Sequence, residues 1–390
     1  MYDLCYIVSH GFVSRMLTQT DLLAKLRKKN TLCILMTKND QQLEQYCDKN
    51  KIDYLILPDS GKSFFEYYNK RRYFLEDIEK NPALYEKHIH ATSIKPSRNP
   101  FKLLKIYYYF LCYKLIKIFP FIRKNFQKNE KKLLKNDEYQ KLLKKINPKL
   151  LISTYPVDIS EATLLHYANL DKQIKTCIQF LSWDNISCKG RFIELADKYI
   201  VWGKIMKDEL KEYYNVDEER ITIAGIPHFD LHLQEKTKEK HNSIKQPYVL
   251  FAMSAPRFAP NEIDIVEELA QKFSENFFGD TRFIIRPHPQ NMKGEMGDEK
   301  WIYRLRNLEG LKNVIIQYPK VNESELLWST QQIDMEEFTD TIANSKLLIN
   351  SGSTASLDAF AHKKNVILTS FDAGFQRDYY DSARRIKDYI

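Results

Sequence analysis

Short runs of consecutive apolar residues, separated by stretches with helical periodicity, set the pattern of this chain. Leu4–Val8, Thr31–Met36 and Tyr54–Leu57 are the first three runs, and Val13–Lys28 and Gln41–Lys49 are the amphipathic stretches between them. A strand buried on both faces loses the alternation of a half-buried one, so such runs predict a parallel sheet with crossover helices. The rhythm breaks over residues 61–147, where the pattern predicts a long helical insertion rich in aromatics and lysine. It resumes with strands at Leu150–Thr154, Lys175–Phe180, Lys198–Trp202 and Arg220–Ala224.

Gly225 and Pro227 end the last of these, and the polar run Gln234–Gln246 follows without periodicity. That places a domain boundary there. A second unit is predicted from strand Tyr248–Met253, helix 261–273, strands 282–285 and 313–316, helix 336–343, strand 346–350, helix 356–362 and strand 365–369. The predicted domains are 1–228 with the insertion 61–147, a linker 229–246, and 247–390. The class is α/β, two Rossmann-like domains.

Composition adds bounds. The 390 residues are 43% hydrophobic and 28% charged, ordinary for a globular protein, and enough for two domains. The start, Met1-Tyr2-Asp3-Leu4-Cys5-Tyr6-Ile7-Val8, lacks a basic leader and reads as a first strand rather than a signal peptide. No apolar run is long enough to span a bilayer. Six scattered cysteines show neither metal spacing nor a disulfide framework, so reduced thiols and a cytoplasmic location are expected. The net charge of +9 is concentrated: residues 101–150 hold 14 Lys/Arg against 3 Asp/Glu. So local a block argues for one anionic partner surface, not for nucleic acid.

Two segments carry the candidate chemistry. Ser351-Gly352-Ser353-Thr354 lies between the strand Lys346–Asn350 and a helix that contains Asp358. Small hydroxyl residues and a glycine between strand and helix make an anion seat, because the first N–H groups point outward and glycine lets a phosphate approach. Serine and threonine also cap helices, but four small or hydroxyl residues in a row exceed what a cap needs. Arg286-Pro287-His288-Pro289 ends another strand, and its two prolines stiffen the turn that presents Arg286 and His288. Arg286 has the alternative of pairing internally. Arg257 follows the first strand of the second unit, where a cation would neutralise a departing nucleotide.

This arrangement resembles the C-terminal half of GT-B glycosyltransferases and their relatives: the bacterial surface-polysaccharide transferases, the CDP-glycerol glycerophosphotransferases, the polysialyltransferases with their His-Pro motif, and the UDP-N-acetylglucosamine 2-epimerases. It covers roughly residues 180–375. By position, it implies that His288, Ser351, Gly352, Ser353 and Thr354 hold donor phosphates and that Asp358 reaches the ribose. It also implies an acceptor base after the first strand, which makes His10 a candidate. Asp158 and Asp184 follow later strands and are the alternatives, Asp184 also fitting a plain loop-supporting turn. Residues 376–390 are expected, by the same resemblance, to pack back as a helix.

No Asp-x-Asp pair lies in a strand-end loop, so no metal ligand and no cofactor is expected, the nucleotide-activated sugar being substrate. The dinucleotide and P-loop glycine patterns are missing as well. Residues 101–132 mix lysine with tyrosine, phenylalanine and leucine, a composition suited either to a helix at an anionic membrane or to an insertion packed on its own domain. Together these features predict a GT-B-like cytoplasmic transferase, peripheral at the membrane's inner face. It would move a sugar or polyol phosphate from a UDP-, CDP- or CMP-type donor to a surface-glycan acceptor. A nucleotide-sugar 2-epimerase and a non-catalytic scaffold of a polysaccharide assembly are the alternatives.

Overall fold

The computed structural model describes residues 1–60, 80–81, 100–189, 191–233, 244–256, 259, 261–292, 299–322, 324–326 and 329–369. Arg257 and residues 376–390 lie outside these, as do residues 61–79 and 82–99 of the insertion and residues 234–243 of the polar run. The chain divides into two compact units, Met1–Ile226 with Ser324–Leu326, and Pro227–Glu323 with Leu327–Ile390.

Among the described residues the first unit holds seven strands: β1 (Tyr2–Val8), β2 (Leu32–Met36), β3 (Asp53–Ile56), β4 (Pro148–Ser153), β5 (Lys175–Gln179), β6 (Lys198–Val201) and β7 (Ile221–Ile223). All pair in parallel, in the order β3-β2-β1-β4-β5-β6-β7. All five residues of β2 are buried, which is why the run shows no alternation. Helices cover the sheet. Tyr139, Leu143 and Ile146 of helix Asp137–Ile146 pack with Leu164 and Ala168 of helix Ile159–Leu170 over Cys5, Ile7, Leu35 and Leu151.

The second unit holds β8 (Tyr248–Ala252), β9 (Arg282–Arg286), β10 (Val314–Ile316), β11 (Leu347–Asn350) and β12 (Asn365–Leu368), parallel in the order β10-β9-β8-β11-β12. Helices Glu262–Ser274 and Glu299–Arg306 bury Ile263, Val266, Ala270, Trp301 and Leu305 against one face. Ile342 of helix Gln332–Asn344 and Ala359 of helix Ala355–Ala361 pack on the other. Two Rossmann-like α/β units are therefore what the chain forms.

Each sheet reverses its strand order once, between β1 and β4 and between β8 and β11. In parallel α/β sheets ligands bind beyond the carboxyl ends of the strands at such a reversal. The loops that matter follow β1 and β4 in one unit, β8 and β11 in the other.

One expected helix, Val13–Lys28, is two: Gly11–Gln19 and Leu22–Arg27. Thr20 between them is extended, and its hydroxyl bonds both the Met16 carbonyl and the Leu22 N–H. A threonine side chain competing for backbone partners ends a helix in this way. Within the insertion, helices Pro100–Ile118 and Pro120–Glu130 meet at Phe119. Proline at the first helical position starts the second helix while ending the first. Among the described residues, no helix is long and apolar enough to cross a membrane.

Candidate functional site

In the second unit the loop after β11 turns at Gly352, whose φ of 89° is open to glycine and strained for other residues. Buried Asn350 fixes the turn, its Oδ1 accepting from the N–H groups of Gly352 (2.7 Å) and Ser353 (3.4 Å). The hydroxyls of Ser353 and Thr354 have no partner among the described residues, and both residues are only part-buried. Ser351 differs. It is buried, donates to Glu262 Oε1 at 2.5 Å and shares a 2.8 Å bond with Thr369. Its hydroxyl therefore supports the loop rather than facing a ligand.

Glu262, at the start of the helix after β8, ties the two loops together. Its other oxygen accepts from the Ser254 N–H at 2.7 Å, and burial pushes its carboxyl up to about 7. His288, just after β9, accepts the Gln290 N–H on Nδ1 at 3.1 Å. With Nδ1 an acceptor, the neutral ring carries its hydrogen on Nε2, a donor of the kind a phosphate oxygen accepts.

Arg286 takes its internal alternative. It is buried, its Nη2 donates to Asp334 Oδ2 at 2.6 Å, and its guanidinium lies 4.6 Å from the Phe338 ring centroid. Asp334 also accepts the Lys320 N–H at 2.8 Å. That makes Arg286 a clamp between β9 and helix Gln332–Asn344. Asp358 is buried too, with Oδ1 3.0 Å from His228 Nε2.

In the first unit, His10 follows β1 and caps helix Gly11–Gln19, accepting the Phe12 N–H on Nδ1 at 3.1 Å. Burial, with the positive charges of Arg15 and Lys189, lowers its pKa to about 3. The ring is thus neutral and its hydrogen sits on Nε2. It presents a donor, whereas a base at that nitrogen needs a lone pair.

Asp158 caps helix Ile159–Leu170: Oδ1 accepts from the N–H groups of Ser160 (2.9 Å) and Glu161 (3.1 Å). Oδ2 has no partner among the described residues, and burial raises the carboxyl's pKa. Asp184 pairs with Lys189 at 3.1 Å, and the carboxylate in turn holds the Lys189 ammonium well above its ordinary pKa. The turn here is made by Asn185, whose Oδ1 accepts the Ser182 N–H at 2.8 Å.

Glu161 joins the loops of this reversal. It accepts from Ser9 Oγ after β1, from Ser153 Oγ at 2.5 Å, and from the N–H groups of Thr154 (2.8 Å) and Tyr155 (2.9 Å) after β4. Burial first, then Asp158, pushes it up to about 7. The Tyr155 ring lies 6.0 Å from that of His10. Glu161, Glu262 and Tyr155 carry no local sequence signal, since each has a partner from another strand–helix unit: Ser9, Ser351 and His10.

No protein-family model matches the chain, and no curated protein matches it in sequence. Solved structures do match in fold. MnaA of S. aureus, solved with UDP, aligns at a TM-score of 0.53 and 10% identity over 100% of this chain and 88% of its own. The UDP-GlcNAc 2-epimerase of Methanocaldococcus jannaschii aligns at 0.53 and 11%, over 99% and 91%. That of Neisseria meningitidis, bound to UDP-GlcNAc, aligns at 0.53 and 10%, over 99% and 91%. At these identities the likeness is one of fold, and the fold is the GT-B type with its epimerase relatives.

Proposed function

We propose that this protein is an enzyme that transfers a sugar, or a polyol phosphate, from a nucleotide-activated donor to a glycan acceptor. One observation carries most of the weight. Ser353 and Thr354, with hydroxyls that have no partner among the described residues, sit beside a glycine with positive φ at the strand-order reversal of the second sheet. Anionic ligands of doubly wound sheets bind at such a place. Ser353, Thr354 and the His288 Nε2–H would hold the donor's phosphates and stabilise the leaving nucleotide. That several proteins of like fold were solved with UDP or UDP-GlcNAc supports the same ligand class here.

On the acceptor side Asp158 is the favoured base. Its Oδ1 is held by the helix cap, Oδ2 has no partner among the described residues, and burial raises its pKa. His10, neutral with Nε2–H, would position an acceptor hydroxyl, and Asp184 would act with Lys189 as a neutral pair. No step requires a metal ion at the phosphates.

The insertion suits a lipid-linked acceptor. Leu104, Tyr107, Tyr108, Leu111, Leu115 and Ile118 are all exposed and follow helical spacing along Pro100–Ile118. Lys114, Lys117, Lys124 and Lys128 are exposed on the same two helices. An apolar stripe beside lysines matches an anionic bilayer surface. Replacing these four lysines with glutamine should weaken binding to phosphatidylserine vesicles by about two to three orders of magnitude, at about 1 kcal/mol per lysine. Vesicle affinity indifferent to salt and to these changes would refute the membrane face.

The reaction class is tested by titrating UDP, CDP, CMP, GDP and their sugars, then following turnover. Nucleotide release that depends on added glycan acceptor is the expected result. Interconversion of C2 epimers without acceptor would show an epimerase instead. No affinity for any of these nucleotides would leave only a scaffold.

A further inference from the structure

Two helical segments of the second unit each carry an i, i+4 pair of metal-ligating side chains. His228 and His232 lie on the turn Pro227–Phe229 and the helical turn Asp230–Leu233. Asp358 lies on helix Ala355–Ala361, and His362 is its C-cap. Residues four apart share one helix face. The two faces meet: His228 Nε2 is 3.0 Å and His232 Nε2 3.3 Å from Asp358 Oδ1, and His232 Nδ1 is 3.1 Å from His362 Nε2. His228, His232 and Asp358 are 6%, 4% and 4% exposed.

We propose that His228, His232 and Asp358 bind a divalent transition-metal cation of the zinc class, with His362 as its outer partner. The three ligand atoms lie within 4.8 Å of one another. Tetrahedral zinc, with bonds of about 2.0–2.1 Å, sets neighbouring ligand atoms about 3.3 Å apart. The observed 3.0 and 3.3 Å separations already meet that spacing. Two imidazoles with one carboxylate suit zinc and its neighbours, whereas magnesium and calcium demand oxygen ligands.

The second contact of His232 fits as well. A histidine bound through Nε2 keeps its hydrogen on Nδ1 and donates it outward, here to His362 Nε2 at 3.1 Å. A divalent charge also offsets the cost of burying a carboxylate between two rings. Three protein ligands leave a fourth position for water. The cation would pin helix Ala355–Ala361, which follows the Ser351–Thr354 turn, to segment 227–233, and it takes Asp358 away from a ribose contact. Transfer without a metal at the phosphates is a separate claim, so activity is not the readout.

The test uses full-length protein without a histidine tag, stripped with chelator, loaded with zinc and desalted. The expected result is one zinc per chain by elemental analysis, with a melting temperature about 5 °C higher at a hundredfold excess over Kd. Cobalt(II) in its place should give the intense visible bands of a four-coordinate site. Asp358→Asn and His232→Gln should lose the bound zinc, and His362→Gln should weaken affinity about 10- to 100-fold. Zinc well below one per chain in the wild type, or cobalt without those bands, would overturn the site whether or not the variants fold. So would full retention in folded Asp358→Asn and His232→Gln proteins.

Discussion

At the reversal of the first sheet a buried glutamate, Glu161, accepts hydrogen bonds from the loops after β1 and β4; at the reversal of the second, Glu262 does the same for the loops after β8 and β11. Both carboxyls are pushed up to about 7 by burial. Each unit also sets a histidine directly beyond a strand, with Nδ1 accepting the N–H two residues on. The supports are the same and the equipment differs. The first reversal gathers Asp158, Tyr155 and the Asp184–Lys189 pair, groups that move or steer protons. The second gathers Ser353, Thr354 and a glycine with positive φ, groups that seat an anion. Under the proposed function, two units of one architecture would divide a transfer reaction between proton handling and nucleotide binding.

The sharpest way to break this division is Asp158→Asn. Asparagine caps a helix about as well as aspartate, so the fold should hold. Loss of the base should cost about 10³-fold in turnover, with donor affinity unchanged. Turnover within tenfold of wild type would move the base elsewhere.

His288→Ala should lower turnover by about 10²-fold and weaken nucleotide binding as well, since it removes a donor to the leaving phosphate. The circular-dichroism spectrum should be that of wild type. Unchanged turnover in that folded protein would remove His288 from the site.

The smallest effect concerns the shared supports. A carboxyl whose folded pKa lies above its unfolded value binds its proton more tightly in the native state. Its contribution is full below 4.5 and is lost as pH rises to about 7. Each glutamate should cost of order 3 kcal/mol across that window. Glutamine reproduces the neutral acid, so Glu262→Gln should match wild type near pH 5 and exceed it at pH 8 in denaturant unfolding. A parallel pH dependence in both proteins would mean that Glu262 stays ionised.

Much of this was legible from sequence for a physical reason. Strands such as Leu32–Met36 are buried throughout and read as unbroken apolar runs. Helix Ile159–Leu170 has no such signature, because Ser160, Glu161 and Thr163 are buried with the apolar residues and no polar face remains. Helix Gln332–Asn344 starts four residues before the expected 336, where Asp334 is buried against Arg286. A charged residue in a buried position hides the period. The same blindness covers Glu161 and Glu262, both fully buried although glutamate is ordinarily exposed. The loop Ser351–Thr354 was visible as a motif, but the partners that separate Ser351 from Ser353 and Thr354 come from residue 262 and residue 369, and no local pattern announces them.

The division of labour is tested most directly by calorimetric titration of UDP, or whichever nucleotide binds wild type best, into Asp158→Asn and His288→Ala proteins. Asp158→Asn should bind with wild-type affinity, and His288→Ala at least tenfold more weakly. The reverse, with Asp158→Asn losing the nucleotide and His288→Ala keeping it, would contradict the assignment of the donor to the second unit.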